Sequence, residues 1–313
     1  MKTVSIVMAT YNGSRYLRPQ IESILAQTYP IHEVIIQDDH STDDTADIVR
    51  QYAAAHPNIH LWVNPTRLGY KENFRTATLR ATGDLIALAD QDDIWYPDKI
   101  EAQVHAIGSH DLCYSHHHRG ADPRHTTLVT YKNAPERQLF AAIVGHSLLM
   151  RRDYAQNPDN WLGYMAHDIG LSLFAHFHRG VVRVDRPLNF HRSHDDSVST
   201  AAHLHAYHDK DHHPTWQPYI YGLSNYRRLQ RKDTWQAYHH RVQAESRDRN
   251  PLVYQLCTLM LSPHLSSLLR LCLLCMRHRH TIYPSDNTQG LRGAIRGFFF
   301  PFIHSYHCTF YDG

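Results

Sequence analysis

The chain has 313 residues, a formal net charge of +2 and 42% hydrophobic residues. That length supports one large domain or two small ones, with a core that needs no covalent staples. The near-neutral balance excludes a global electrostatic case for nucleic-acid binding. The five sparse cysteines (Cys113, Cys257, Cys272, Cys275 and Cys308) exclude a disulfide framework and read as reduced and intracellular. The charge is uneven: residues 1–112 carry 9 Lys/Arg against 15 Asp/Glu, and residues 225–313 carry 12 against 5. The two ends are therefore expected to meet different partners. Met1-Lys2-Thr3 leads straight into a short strand-like run, so no signal peptide is expected. Most of the 28 histidines are scattered or lie in polar runs such as His116-His117-His118. They read as solvated positions that bind metal adventitiously, not as a dedicated site.

Residues 4–8 read as a strand, and Leu17, Ile21, Ile24 and Leu25 then share one helical face. Residues 33–37 form a second strand. Ser41 is placed as a helix cap, with Asp43 and Asp44 in a first turn where the helix dipole favours them. Ala46, Val49, Tyr52 and Ala53 give that helix its apolar stripe. Residues 59–63 form a third strand, and a helix from about 71 to 81 stops before Gly83. Residues 85–89 form a fourth strand, Pro97 opens another helix, and 112–114 make a fifth strand. This alternation predicts an α/β fold, Rossmann-like, with a mostly parallel sheet and helices on both faces. Ligands of such sheets bind beyond the carboxyl ends of the strands. Thr10-Tyr11-Asn12-Gly13, Asp38-Asp39 and Asp90-Gln91-Asp92-Asp93 all fall there. No Gly-x-Gly-x-x-Gly and no Walker-type loop follows the first strand, which argues against a dinucleotide oxidoreductase and a P-loop ATPase.

Residues 116–145 are polar and show no clear period. Residues 147–150 read as a strand and 168–177 as a helix with Ile169, Leu171, Leu173 and Phe174 apolar. Residues 181–184 and 188–190 read as a strand pair. A His- and Asp-rich connector spans 201–218, and from 219 the pattern is helical and basic. The expected organisation is a domain over 1–200, halved at 115/116, then the connector, then a helical C-terminal extension over 219–313. Residues 252–276 have the length of a membrane span but contain Gln255, Pro263, His264 and Arg270. An amphipathic helix flanked by Arg277, Arg279, Arg292 and Arg296 on an anionic membrane face is one reading. A helical hairpin packed on the domain over 1–200, or a homo-oligomer interface, is the other.

Three carboxylates in the turn at 90–93 make a hard, oxygen-lined site suited to Mg²⁺ or Mn²⁺. An acidic turn capping the next helix is the alternative. Cys272-x-x-Cys275 with His278 and His280 has zinc-like spacing, but its Leu-rich setting reads as an apolar helix face. The basic runs Arg227-Arg228 and Arg231-Lys232 lack interleaved stacking aromatics and so do not read as a nucleic-acid site.

Taken in order, Val4 to Gly13, Gln27-Thr28-Tyr29, Asp38-Asp39-His40-Ser41-Thr42-Asp43 and Asp90-Gln91-Asp92-Asp93-Ile94-Trp95 resemble the family 2 glycosyltransferases over roughly residues 3–200. The resemblance implies the GT-A fold and inverting, metal-dependent transfer of a sugar from a nucleotide diphosphate to an acceptor hydroxyl. His167-Asp168 and the stretch His191-Arg192-Ser193-His194 through Ser199 look like the rhamnosyltransferase-type branch. On this basis Asp168 is the expected general base. Asp92 is the first choice for a direct ligand of Mn²⁺ or Mg²⁺, with Asp90, Asp93 and His194 beside it. Thr10, Tyr11, Asn12, Asp38, Asp39, Arg67, Lys71, Asp90, Gln91 and Trp95 are the donor-binding candidates. The plain alternatives are an N-terminal helix acid for Asp168, core packing for Tyr11 and Trp95, and a solvated basic face for Arg67 and Lys71. The implied partners are a nucleotide-diphosphate sugar, plausibly dTDP-L-rhamnose with a UDP-hexose as alternative, and a glycan or lipid-linked acceptor. The implied location is cytoplasmic, peripheral at the inner face of the plasma membrane. A catalytically silent nucleotide- or glycan-binding assembly protein is the competing class, and a histidine-rich metal buffer a third. The pattern departs from the family at His40 and His146, and residues 116–135 match nothing in it.

Overall fold

The computed structural model describes residues 1–194, 216–283 and 288–308. They belong to two compact units, Met1–Asn133 with Ile143–His194, and Ala134–Ala142 with Asp195–Gly313.

The first unit is built on one nine-stranded sheet. Its strands are β1 (Val4–Thr10), β2 (Glu33–Asp38), β3 (Ile59–Val63), β4 (Leu85–Ala89), β5 (Ile94–Trp95), β6 (Leu112–Asp122), β7 (His125–Val129), β8 (Leu148–Arg151) and β9 (Val181–Arg192). The order is β3-β2-β1-β4-β8-β6-β9-β5, with β7 paired to β6. Strands β1 to β4 are mutually parallel. Beyond them β8 runs antiparallel to both neighbours, and β9 returns parallel to β6. Alternation along β1 divides the core. Ile6 and Met8 pack with Leu17, Ile21 and Ile24 of α1 (Ser14–Leu25) and Ile100 of α4 (Lys99–Ile107). Val7 faces the other way, toward Phe74 and Ala77 of α3 (Tyr70–Arg80) and Leu171 of α7 (His167–Phe174). Helices thus cover both faces of the sheet, with α2 (Thr45–Ala55) and α6 (Arg152–Ala155) completing the unit. In the second unit lie α5 (Pro135–Gln138), α8 (Gln217–Gln230), α9 (Asp233–Ser246), α10 (Pro251–Leu261), α11 (Leu265–Arg277), α12 (Arg279–Ile282), α13 (Gly290–Phe298) and α14 (Phe300–His307).

Several local expectations are corrected. Ser41 does not cap a helix: α2 starts at Thr45, and the Ser41 hydroxyl donates to Asp38. The helix expected at Pro97 begins at Lys99, because Ile94 and Trp95 first pair with Phe190 and Asn189 of β9. Within the stretch without a clear period, 135–138 form α5 and 116–129 belong to the hairpin of β6 and β7. His116 and His117 are buried in it, not solvated. The pair expected at 181–190 is one strand, β9, whose register against β6 slips on either side of His116, the residue opposite Pro187. Proline has no N–H for the ladder, so a slip there is where an interior strand tolerates it. Residues 252–276 are two helices separated at Ser262, and Cys272 and Cys275 line the buried face of the second. Among the described residues no helix is long and apolar enough to cross a membrane. Asp195 to Ser199 and residues 201–215 of the connector lie outside the described residues.

Candidate active site

The turns after β1, β2 and β4 are tied together by side chains that bond to backbone. Asp38 Oδ1 accepts from the hydroxyls of Thr10 at 2.9 Å and Ser41 at 2.5 Å. Asp39 accepts from Asn64 Nδ2 and from the N–H groups of Leu68 and Gly69 at 2.7–2.8 Å. It thereby fixes the loop that carries Arg67, whose guanidinium sits 4.0 Å from the centre of the Tyr11 ring. Asn12 takes a left-handed backbone, φ 46°, and its side chain accepts from Thr42 N–H. The Gln91 amide accepts from Tyr11 N–H at 2.9 Å and donates to Tyr11 C=O at 3.1 Å. A Cβ on Gly13 would stand 2.2 Å from Gln91 Oε1, so this clasp requires glycine. Lys71 lies in the first turn of α3.

The carboxylates gather where β4 ends. Asp92 Oδ2 pairs with His194 Nε2 at 2.6 Å across 102 residues of sequence. Arg192 Nε donates to Asp92 C=O, and its guanidinium lies 4.7 Å from the Tyr16 ring, which also packs on His194. Asp93 is fully enclosed. Asn189 Nδ2 reaches it at 3.2 Å, His191 Nδ1 at 3.0 Å and Arg192 N–H at 3.4 Å. Asn189 and His191 are two apart on β9 and so share a face of the strand. Behind them His146 pairs with Asn189 at 2.9 Å and stacks on His191 with ring planes 9° apart. The buried Lys99 donates to His146 C=O and lies 4.9 Å from the Trp95 ring. Trp95 is itself enclosed in the core, so it packs beneath the turn.

Burial first, then the charges of Asp93 and Asp92, lift the Asp90 carboxyl well above the usual range. Burial also raises Asp93, against the pull of His191. Burial works against a charged His191, but Asp93 and its neighbours outweigh it and raise the imidazole. His146 is driven down by burial and by His191. Asp168 opens α7, where backbone N–H groups favour the anion, yet burial dominates and pushes it up to about 6. A plain helix-terminal acid would shift the other way. Its charge is felt by Asp90 and by Tyr70, whose phenol is pushed up to about 12 chiefly by burial.

Crowded carboxylates with raised affinity for protons are the donor set a hard divalent cation suits. Two groupings present themselves. Asp90, Asp93, His146 and His191 each place a ligand atom within 4.8 Å of the others. Their parallel imidazoles cannot both aim a lone pair at one ion, and Asp93 is already enclosed by protein donors. Asp92 and His194 form the other pair, each with 15% of its side chain exposed, and Asp92 lies two residues from Asp90 in the same turn.

The structure therefore brings Asp90, Asp92, Asp93 and His194 together, with Asp168 within electrostatic range. It joins Thr10, Tyr11, Asn12, Asp38, Asp39, Arg67 and Gln91 through the linked turns. Sequence reasoning missed Asn189, Lys99 and Tyr16, and it named His191 in a motif without giving it a role. It noted His146 only as a departure. The alternation of Asn189 and His191 was a usable signal, hidden because β9 was read as two strands.

The chain matches the model of Glycosyl transferase family 2 over residues 5–167. A curated relative, the UDP-Glc:alpha-D-GlcNAc-diphosphoundecaprenol beta-1,3-glucosyltransferase WfgD of Escherichia coli, is 33% identical over 111 residues, 36% of this chain and 43% of the relative. The first curated relatives are matched over only 36–44% of their own length. Among solved structures, residues 1–349 of S. aureus TarS in complex with UDP superpose with a TM-score of 0.54 at 17% identity, covering 96% of this chain and 89% of that one. The mannosyltransferase PcManGT of Pyrobaculum calidifontis, in complex with GDP-Man and Mn²⁺, gives 0.52 at 15% identity, covering 96% and 86%. At these identities the structural likeness speaks for the fold alone.

Proposed function

The chain belongs to the family 2 glycosyltransferases, and from that premise we propose that it moves a sugar, with inversion, from a nucleotide-diphosphate donor to a hydroxyl of a glycan or lipid-linked acceptor. The observation that carries the reading is Asp168. It is a carboxylate lifted to about 6 by burial and placed within electrostatic range of the Asp90–Asp93 turn. A base is most effective when its pKa lies near the working pH. Above pH 6 Asp168 is ionised and accepts the acceptor's proton as that hydroxyl attacks. Mn²⁺ or Mg²⁺, held by Asp92 with His194 and Asp90, would supply Lewis-acid stabilisation of the departing diphosphate. Asp93 works below them. Its bonds to Asn189 and His191 lock β9 against the turn and so set the height of Asp92. Tyr11, backed by Arg67, offers a ring face for the base. Thr10, Asn12, Asp38, Asp39 and Gln91 shape the donor pocket, and Lys71 stands at its α3 side.

The His191-Arg192-Ser193-His194 segment supports L-rhamnose from dTDP-rhamnose as the donor. The second reading is a UDP-hexose, favoured by the E. coli relative's named donor and by UDP in the TarS complex. A thermal-shift panel of UDP, dTDP and GDP with Mn²⁺, repeated with EDTA, separates them. The reading expects a metal-dependent rise, largest with dTDP. A rise with UDP alone replaces rhamnose by a hexose. No rise with any nucleotide favours the silent assembly protein. The acceptor reading places the protein at the inner face of the plasma membrane.

A further inference from the structure

We infer that the second unit carries a docking surface for an anionic lipid bilayer, built from the outward stripes of α11 and α13. This deepens the membrane-face reading above and uses none of the candidate active-site residues. Helix α11 buries Leu268, Leu271, Cys272 and Cys275. Leu265, Leu269 and Leu273, spaced four apart and so in line on the helix, remain 71%, 53% and 45% exposed. Helix α13 repeats the pattern: Gly293 and Gly297 are buried, while Leu291 and Ile295, again four apart, are 77% and 46% exposed. The helices meet closely at Gly297, where a Cβ would stand 3.0 Å from Met276 Cα and 3.3 Å from Cys275 C=O.

An arginine follows each of four apolar residues: Leu269-Arg270, Met276-Arg277, Leu291-Arg292 and Ile295-Arg296. One residue onward is a rotation of about 100° on a helix. Each stripe is therefore edged along the same side by arginines, of which Arg270, Arg277 and Arg292 are exposed and can lay their stems along apolar surface. Residues 251–308 hold five arginines and one acidic residue, so the partner is anionic. A second copy of this chain would bring the same basic edges against each other, which opposes self-association. Aliphatic residues beside a basic edge, on helices too short and too polar to span, fit an in-plane contact with acyl chains and anionic headgroups.

The test is flotation of the full chain with vesicles of neutral phosphatidylcholine, and with vesicles containing phosphatidylglycerol. Binding is expected to the anionic vesicles only and to weaken with salt. Leu269→Glu with Leu291→Glu should lower partitioning by about tenfold or more, and Arg270→Gln or Arg292→Gln by about fivefold each. All four positions are exposed, so the Mn²⁺-dependent nucleotide shift should persist in every variant and report an intact fold. Equal binding to neutral vesicles, variants that bind like the parent, or a concentration-dependent dimer without vesicle binding would overturn the proposal. Vesicle binding without any nucleotide shift would uphold this surface and remove the active-site reading instead.

Discussion

The two halves of the sheet in the first unit use carboxylates in opposite ways. Along β1 to β3, Asp38 and Asp39 accept bonds from Thr10, Ser41, Asn64, Leu68 and Gly69, and so fix the shape of turns. Around β4, β5 and β9, Asp90, Asp92 and Asp93 face imidazoles and each other, and burial lifts Asp90 and Asp93. One region is governed by hydrogen-bond geometry, the other by the placement of charge. Substitutions in the first should register as lost stability, and in the second as lost turnover or ion binding.

Asp168→Asn is the largest expected break. Turnover should fall by about 10²–10⁴-fold while nucleotide binding persists. Because burial raises the folded-state pKa of Asp168 to about 6, its contribution to stability is full at low pH and is lost as pH rises through 6. The parent should therefore show an acidic limb of activity near pH 6, and the Asn variant should be more stable at pH 7 by about 1–2 kcal/mol. A variant that is both inactive and less stable would blur the comparison. Asp92→Asn comes next. It should weaken Mn²⁺-dependent nucleotide binding by about 100-fold, read by calorimetry with and without EDTA, and leave the melting temperature of the free protein nearly unchanged. Asn189→Ala tests whether the charged half also has a geometric part. It strips one bond from Asp93 and one from His146, and urea unfolding should show a loss of about 1–3 kcal/mol. Gly13→Ala is smallest, at about 1–2 kcal/mol. It breaks the Gln91 clasp on Tyr11 without touching a charge, so turnover at saturating substrate should change less than stability.

The same division explains what the sequence alone could tell. Strands β1 to β4 alternate regularly with helices, so their ends, and the residues at those ends, followed from periodicity. Asp90, Asp92 and His194 could be singled out because each sits in a dense, ordered motif. Strands β6 and β9 were legible only in part, at 112–114, 181–184 and 188–190, and their continuations were not. Consecutive His116 and His117 look solvated until pairing encloses both, and Pro187 appears to end a strand that in fact continues past a register slip. Asn189 and His146 act through one or two bonds whose partners lie 96 and 43 residues away. Such roles depend on register, and no local pattern encodes register across that distance. Ser41 failed for the opposite reason. Its cap-like spacing was real, but Asp38, three residues earlier, took the hydroxyl.

The pairing of Asp92 with His194 also bears on the order in which the chain acquires its form. Closing 102 residues takes far more chain than pairing β1 with β2, whose partners lie 28 apart, and loop closure must be completed before the contact returns any stabilisation. During synthesis the acidic turn is made long before β9 leaves the ribosome. A nascent chain halted before residue 181 would hold its first four strands, the acidic turn and His146, but neither the two imidazoles, His191 and His194, nor the Asn189 amide that β9 and its end provide. Pulse-labelled hydrogen exchange should accordingly protect β1 and β2 before β9. The pairing of Asp92 with His194 is then among the last contacts the molecule gains.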